Sequence, residues 1–171
     1  NSLIKQGKSY GLLKRTKVLT FLSTETFMSL GKEIPDGVHG WARGPFYAMD
    51  LPRAKAFVKK YRAANKGEYP NDWGMLAYDA MYIIAEGLAK AGGTDPTKFR
   101  EALGSMSFDT VRGPLKMRMI DNTFNAPSYL GVVKAGTNYP FPTMVNLKVV
   151  PGDLTLPSEG TVTALRKAAS K

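Results

Sequence analysis

Apolar residues recur along this chain at different spacings, and each spacing predicts a different kind of element. In "LPRAKAFVKKYRAANK" Ala54, Phe57, Val58 and Tyr61 return every three or four positions while Lys55, Lys59, Lys60 and Arg62 fall between them, which predicts an amphipathic helix. "NDWGMLAYDAMYIIAEGLAKAGG", residues 71–93, is the least polar long stretch; Asn71 or Asp72 offers an N-cap and Gly92-Gly93 a stop. Asp79, Glu86 and Lys90 interrupt it at about helical spacing. It therefore reads as a helix packed over most of its circumference, with one narrow polar stripe, and not as a membrane span. Asp95-Pro96 caps a third helix, "PTKFREALGSM", whose apolar edge is Phe99, Leu103 and Met106.

Shorter patterns fill the rest. Residues 2–14 read as a helix running into the basic turn Lys14-Arg15-Thr16-Lys17. "VLTFLS", residues 18–23, is an apolar run of the kind buried on both faces of a parallel sheet. A loop with one helical turn is expected over "TETFMSLGKEIPDG", then a second strand over "VHGWARG". Beyond Gly104 the period becomes two: Leu115, Met117 and Met119 alternate with Lys116, Arg118 and Ile120, which predicts a hairpin or crossover pair. "PSYLGVVKAG" and "TMVNLKVV" read as further strands, and residues 162–169 as a last helix. This order is that of an α/β protein with helices on the faces of a mostly parallel sheet. Five strands and four helices do not complete one doubly wound sheet, so pieces of two sheets are expected.

Composition narrows the chemistry. An apolar fraction of 43% with 22% charged residues belongs to a chain that folds around a core. Cysteine is absent, which excludes a disulfide framework, a thiolate nucleophile and cysteine-ligated zinc. The single histidine, His39, cannot build a histidine-rich metal site or triad and reads as an ordinary strand-edge residue. The excess of 24 Lys and Arg over 14 Asp and Glu gives a net charge of +10. Those cations are scattered, with no RNA-binding aromatic motif and no helix-turn-helix signature, so a solvated basic surface is expected and no nucleic acid. The first five residues show no signal-peptide pattern, as expected if none existed, if one was removed, or if the sequence begins inside a longer protein.

"GVHGWARG" has glycines spaced by three but inside a strand pattern, so no phosphate loop and no cofactor is expected. "FLSTETF" places Ser23, Thr24 and Glu25 at the carboxyl end of a strand, where open α/β sheets bind their ligands. Glu25 there can accept a hydrogen bond from a ligand ammonium; the alternative is a surface carboxylate capping the next turn through Thr24 or Glu25. Trp73 at a helix start can present its ring to a ligand or belong to the core. Asp121 in "MRMIDNTFN" reads as a turn aspartate, since oxygen-rich calcium spacing stops there. Glu33, Asp36, Asp50 and Asp79 fall on unrelated elements, and the cluster at residues 23–25 has no base partner, so no catalytic and no metal residues are expected.

Taken in order, "VLTFLSTETFMSLG", "IPDGVHGWARGPFY", "AKAFVKKYRAANKGEYPNDWGMLAYDAMYIIAEGLAKAGG", "DPTKFREALGSMSFDTVRGPLKMR" and "PSYLGVVK" resemble the carboxyl-terminal half of the periplasmic ligand-binding proteins of branched-chain amino acid ABC transporters. This is the type I, or leucine/isoleucine/valine-binding, family. The resemblance implies parts of two Rossmann-like lobes in three α/β/α layers, joined by crossovers, that close by a hinge around a small amino acid-like or aromatic carboxylate ligand. It further implies a periplasmic location, an ABC permease in the membrane as partner, and an amino-terminal half that these 171 residues lack. Residues 1–44 would belong to the second lobe, 45–113 to the first, and 114–171 to the second lobe again with the tail. Glu25 matches the family's acidic residue for a ligand amino group, and Trp73 its aromatic wall on the opposite lobe. "STETF" lacks the small, glycine-flanked setting common at that acidic position, and other members take aromatic acids, amides or urea. A sensor module of the same fold is the alternative to transport, and an α/β enzyme built on Ser23, Thr24 and Glu25 ranks below it.

Overall fold

The computed structural model describes residues 2–169. Gly11, with a left-handed φ of 67°, splits the first apolar segment into α1 (Ser2–Ser9) and α2 (Leu12–Arg15), where the spacing alone predicts one helix. β1 (Leu19–Phe21) is shorter than the six-residue run expected, because Ser23 already serves as the N-cap of α3 (Thr24–Leu30). The expected single helical turn is thus a seven-residue helix. Its β-branched Thr24 and Thr26 have modest helix propensity, but it buries Phe27 and Leu30, and full burial of a side chain like Phe27 contributes about 1.5–3 kcal/mol.

A 3-10 turn (Gly31–Glu33) leads into β2 (His39–Ala42), and another (Phe46–Ala48) leads out toward α4 (Pro52–Ala64). Proline at the first position fixes φ where no N–H is needed. α5 (Asp72–Ala91) starts at the N-cap Asn71, whose side chain accepts from the Gly74 N–H at 2.8 Å, and ends at Gly92, φ 70°. α6 (Pro96–Ser105) is capped by Asp95, which accepts from the Lys98 N–H at 2.9 Å. There follow β3 (Ser107–Thr110), β4 (Gly113–Arg118), the short β5 (Thr123–Phe124), β6 (Ser128–Lys134), β7 (Thr143–Val150) and α7 (Glu159–Ala169).

Two sheets form, as the surplus of strand patterns requires. One has the order β1-β2-β6-β7, the other β3-β4-β5. Only β1 and β2 run parallel; β2–β6, β6–β7, β3–β4 and β4–β5 are antiparallel, so the sheet is mixed and not mostly parallel. The helix α3 supplies the crossover that a parallel pair needs, whereas hairpin turns join the later strands directly. Nor is β1 buried on both faces. It is the sheet's edge, and Leu19 is 63% exposed.

Side chains alternate across the larger sheet. Gly40, Ala42, Tyr129, Val133 and Met144 point into the main core, joined there by Leu22, Phe27, Leu30, Ile34, Phe46 and Met75. On the opposite face Phe21 packs on Trp41 with ring centroids 4.8 Å apart, and Leu130 and Val132 are half-exposed. A groove of about 440 Å³ on this face is lined by Val18, Leu19, His39, Leu130 and Val132.

α5 buries only one stripe: Asp72, Met75, Asp79, Ile83 and Gly87. Leu76 and Tyr78 pack at the edge of the main core, while Trp73, Met81, Tyr82 and Ile84 are exposed. The expected solvent stripe through Asp79 is therefore wrong. Asp79 is buried, accepts from the Val111 N–H at 2.8 Å and pairs with Arg112 Nε at 2.8 Å, tying mid-helix to the turn between β3 and β4. No described helix is long and apolar enough to cross a membrane. A second, smaller apolar cluster of Ile83, Phe108 and Leu115 fills the space between α5 and the hairpin.

Asp79→Ala leaves the half-buried guanidinium of Arg112 without its counter-ion and the Val111 N–H without its acceptor, so this variant loses about 2–4 kcal/mol of stability, read from the urea midpoint. Burial pushes the Tyr129 hydroxyl, near this pair, up to about 12. A phenol held above its unfolded value of about 10 stabilises the fold fully below pH 10 and loses that contribution as the pH rises toward 12. Tyr129→Phe flattens the decline in thermal stability across that window.

Candidate functional site

Ser23, Thr24 and Glu25 stand where β1 gives way to α3, at the carboxyl end of the strand. The Ser23 carbonyl accepts from the Thr26 and Phe27 N–H groups at 3.0 and 3.3 Å, and its hydroxyl shares a 3.2 Å hydrogen bond with that of Thr26. Neither Thr24 nor Glu25 caps the helix; the N-cap position belongs to Ser23, which makes no side-chain capping bond.

The turn is fixed from across the molecule by Asp72, the first residue of α5 and 2% exposed. Its Oδ1 accepts from the Thr24 N–H at 2.9 Å and from the Thr24 hydroxyl at 2.7 Å. Its Oδ2 accepts from the Gly44 N–H at 3.0 Å and the Arg43 N–H at 3.3 Å, just beyond the end of β2. A buried carboxylate needs such a shell to offset its lost hydration. Sequence reasoning treats Asp72 only as an alternative N-cap. Once Asn71 takes that duty, an aspartate directly behind it is free for another partner, and this is the signal that was available.

Close approach at this junction depends on Gly44. A Cβ there would lie 2.6 Å from Leu76 Cδ1 and 3.0 Å from the Asp72 carbonyl oxygen, so only glycine lets the end of β2 lie against α5.

The four residues singled out from sequence separate into two pairs. Ser23 and Thr24 are buried with their hydroxyls engaged inside the protein. Glu25 is partly buried, and its Oε2 is shielded from solvent without a hydrogen-bond partner. Trp73 is 52% exposed and so is not a core residue. Glu25 and Trp73 are the next residues along from the bonded pair Thr24 and Asp72. Elsewhere, His39 opens β2 between β1 and β6 and is not at a sheet edge. Asp121 is the expected turn aspartate: Arg118 Nε donates to it at 3.1 Å, and this guanidinium holds its carboxyl below the ordinary aspartate range.

A different concavity lies beyond the junction. Phe46 stacks on Tyr69 at 5.1 Å and meets Tyr139 edge-on at 5.3 Å, while Arg62 lies over the Tyr69 ring at 4.1 Å. These residues, with Tyr47, Val58 and Leu147, line a cavity of about 710 Å³. Burial pushes the Tyr47 hydroxyl above the usual tyrosine range, which keeps it neutral. Sequence reasoning does not find this cluster, because its rings come from three separate loops.

Residues 2–138 match the family model described as periplasmic binding protein, and the chain belongs to that family. It is 40% identical over 114 residues to the leucine-, isoleucine-, valine-, threonine-, and alanine-binding protein of Pseudomonas aeruginosa, an overlap of 66% of this chain and 30% of that protein. Among solved structures it is similar to an amino acid ABC transporter substrate-binding protein from Pseudomonas fluorescens, with a TM-score of 0.77 and 21% identity over 93% of this chain and 42% of that one. A solute-binding protein of an ABC transporter from Rhodopseudomonas palustris, in complex with 3,4-dihydroxy benzoic acid, gives 0.71 and 22% over 88% and 42%. The chain thus spans less than half the length of these relatives. They share its α/β fold of the type I binding proteins, and this chain carries only a portion of it.

Gly44→Ala forces β2 away from α5 and costs about 1–3 kcal/mol, measured by urea denaturation.

Proposed function

We propose that these residues are the carboxyl-terminal part of a periplasmic solute-binding component of an ABC transporter, which closes by a hinge around a small amino acid-like or aromatic carboxylate ligand. In this reading residues 1–44 and 114–171 contribute to one lobe and 45–113 to the other. Glu25 receives the ligand's ammonium and Trp73 supplies an aromatic wall, while Ser23 and Thr24 shape the turn that presents Glu25. The observation that carries the proposal is Glu25 Oε2, a buried carboxylate oxygen without a protein partner at the carboxyl end of β1. A shielded acceptor without a protein partner is the arrangement expected where a ligand donor completes the shell. Family membership supports a binding role over an enzymatic one.

The outward apolar residues of α5 and the half-exposed outer face of the larger sheet support the further proposal that an amino-terminal half covers both. Delivery to a membrane permease follows from the same reading.

A thermal-shift panel of amino acids and aromatic carboxylates, run on the intact protein, tests the binding role. A true ligand at about a hundred times its Kd adds about 2.7 kcal/mol of stability. Glu25→Gln weakens an amino acid ligand by about 10–100-fold, the worth of a hydrogen bond to a charged group, and leaves an acid without an amino group unaffected. Absence of stabilisation by every member of the panel overturns the proposal.

A further inference from the structure

We propose that Asp72 is a positioning residue that joins the Glu25 turn to the Trp73 end of α5 at the junction of the two lobes. The inference rests on the binding role proposed above and extends it to a residue that does not itself touch the ligand. Thr24 and Asp72 lie 48 positions apart in sequence, yet two hydrogen bonds of 2.9 and 2.7 Å join them, and both residues are buried. Each is the immediate neighbour of one of the two residues assigned to the ligand. The second carboxylate oxygen holds Arg43 and Gly44 at 3.3 and 3.0 Å, so the same side chain also fixes where β2 leaves the sheet. Three chain segments thus converge on one carboxylate, and no other described side chain bonds the Thr24 amide.

All four contacts are donors to the carboxylate, and this makes the charge irreplaceable by an amide of the same shape. In Asp72→Asn the side chain has one acceptor. Turned toward Arg43 and Gly44 it keeps both of those N–H groups, and its NH2 then meets the Thr24 hydroxyl, which can accept. The Thr24 N–H is left facing a donor. The opposite orientation opposes two backbone N–H groups instead of one, so the first is favoured. The substitution therefore releases the turn that carries Glu25 while leaving β2 attached to α5.

Asp72→Asn, Thr24→Val and Thr24→Ser in the intact protein separate this role from a merely structural one. In the absence of ligand, amide hydrogen exchange at Thr24 is expected to rise at least tenfold in Asp72→Asn, with Gly44 much less affected. With leucine and benzoate as probes, affinity for whichever one the wild type binds is expected to fall about tenfold in Asp72→Asn and less in Thr24→Val. Thr24→Ser, which keeps the hydroxyl, should match the wild type. A purely structural role instead lowers the melting temperature and leaves the affinity of the folded molecules unchanged, and that result overturns the proposal. So does a Thr24→Ser variant as weak as Thr24→Val, which would assign the effect to the methyl group. If Asp72→Asn does not fold, the two Thr24 variants decide alone. Failure of the wild type to bind any member of the wider panel defeats the binding role itself; the coupling is then read from exchange, and unchanged Thr24 protection in Asp72→Asn refutes it.

Discussion

A single carboxylate, buried at the first turn of α5, ties the junction together: the turn into α3 and the exit from β2 are both bonded to Asp72. Burying an ionised group is costly, and the protein meets that cost with four donors from two separate segments. The arrangement is demanding. It requires β2 to come so close to α5 that a side chain at position 44 is excluded, and it requires α3 to begin soon after β1 so that the Thr24 N–H, in the first turn of the helix, is free to reach Asp72. The short β1 and the glycine at 44 are thus consequences of one electrostatic requirement.

Beside this polar centre the junction is apolar and aromatic. Phe46, Tyr69, Tyr139 and Phe141 form a continuous set of ring contacts, with Tyr47 bridging Phe46 and Tyr139 to Phe27 in the main core. Stacked and edge-on pairs of this kind have directional preferences that a purely aliphatic seam lacks. The polar hub and the aromatic set share two connections, the exit from β2 and the approach to α5; the hub adds the turn into α3, and the rings add the loop between β6 and β7. Together they join the larger sheet to the helices that follow it.

How far the sequence predicted this outcome depended on how local each signal was. α5 and α6 were readable because caps and spacing agree at Asn71, Asp95 and Gly92, all of which act within a few residues, and α4 from its spacing alone. The β3–β4 hairpin was readable from alternation, with Leu115 and Met117 buried and Lys116 exposed. The direction of the later strands was not, because parallel and antiparallel neighbours share the same apolar runs, and only the chain's path decides between them. Glu25 was located by its place after a strand. Asp79 was misjudged because periodicity ranks an aspartate as exposed, and Asp72 was read only as an alternative N-cap; their partners, Arg112 for one and Thr24 for the other, lie 33 and 48 positions away. The family resemblance, by contrast, was carried by the order of several weak motifs, and the family match over residues 2–138 agrees with it.

The bond between Asp79 and the β3–β4 turn also bears on how the chain folds. It links the middle of α5 to a hairpin that follows it after one intervening helix, so the segment from α5 through β4 is closed by contacts of modest sequence separation. The larger sheet, in contrast, must bring β2 against β6 across some ninety residues. Loop-closure entropy then favours completion of the helix–hairpin unit before that sheet is assembled. With Asp79 at its centre, this unit is expected to serve as a platform for the distant strands, with the pairing of β2 and β6 as the slow step.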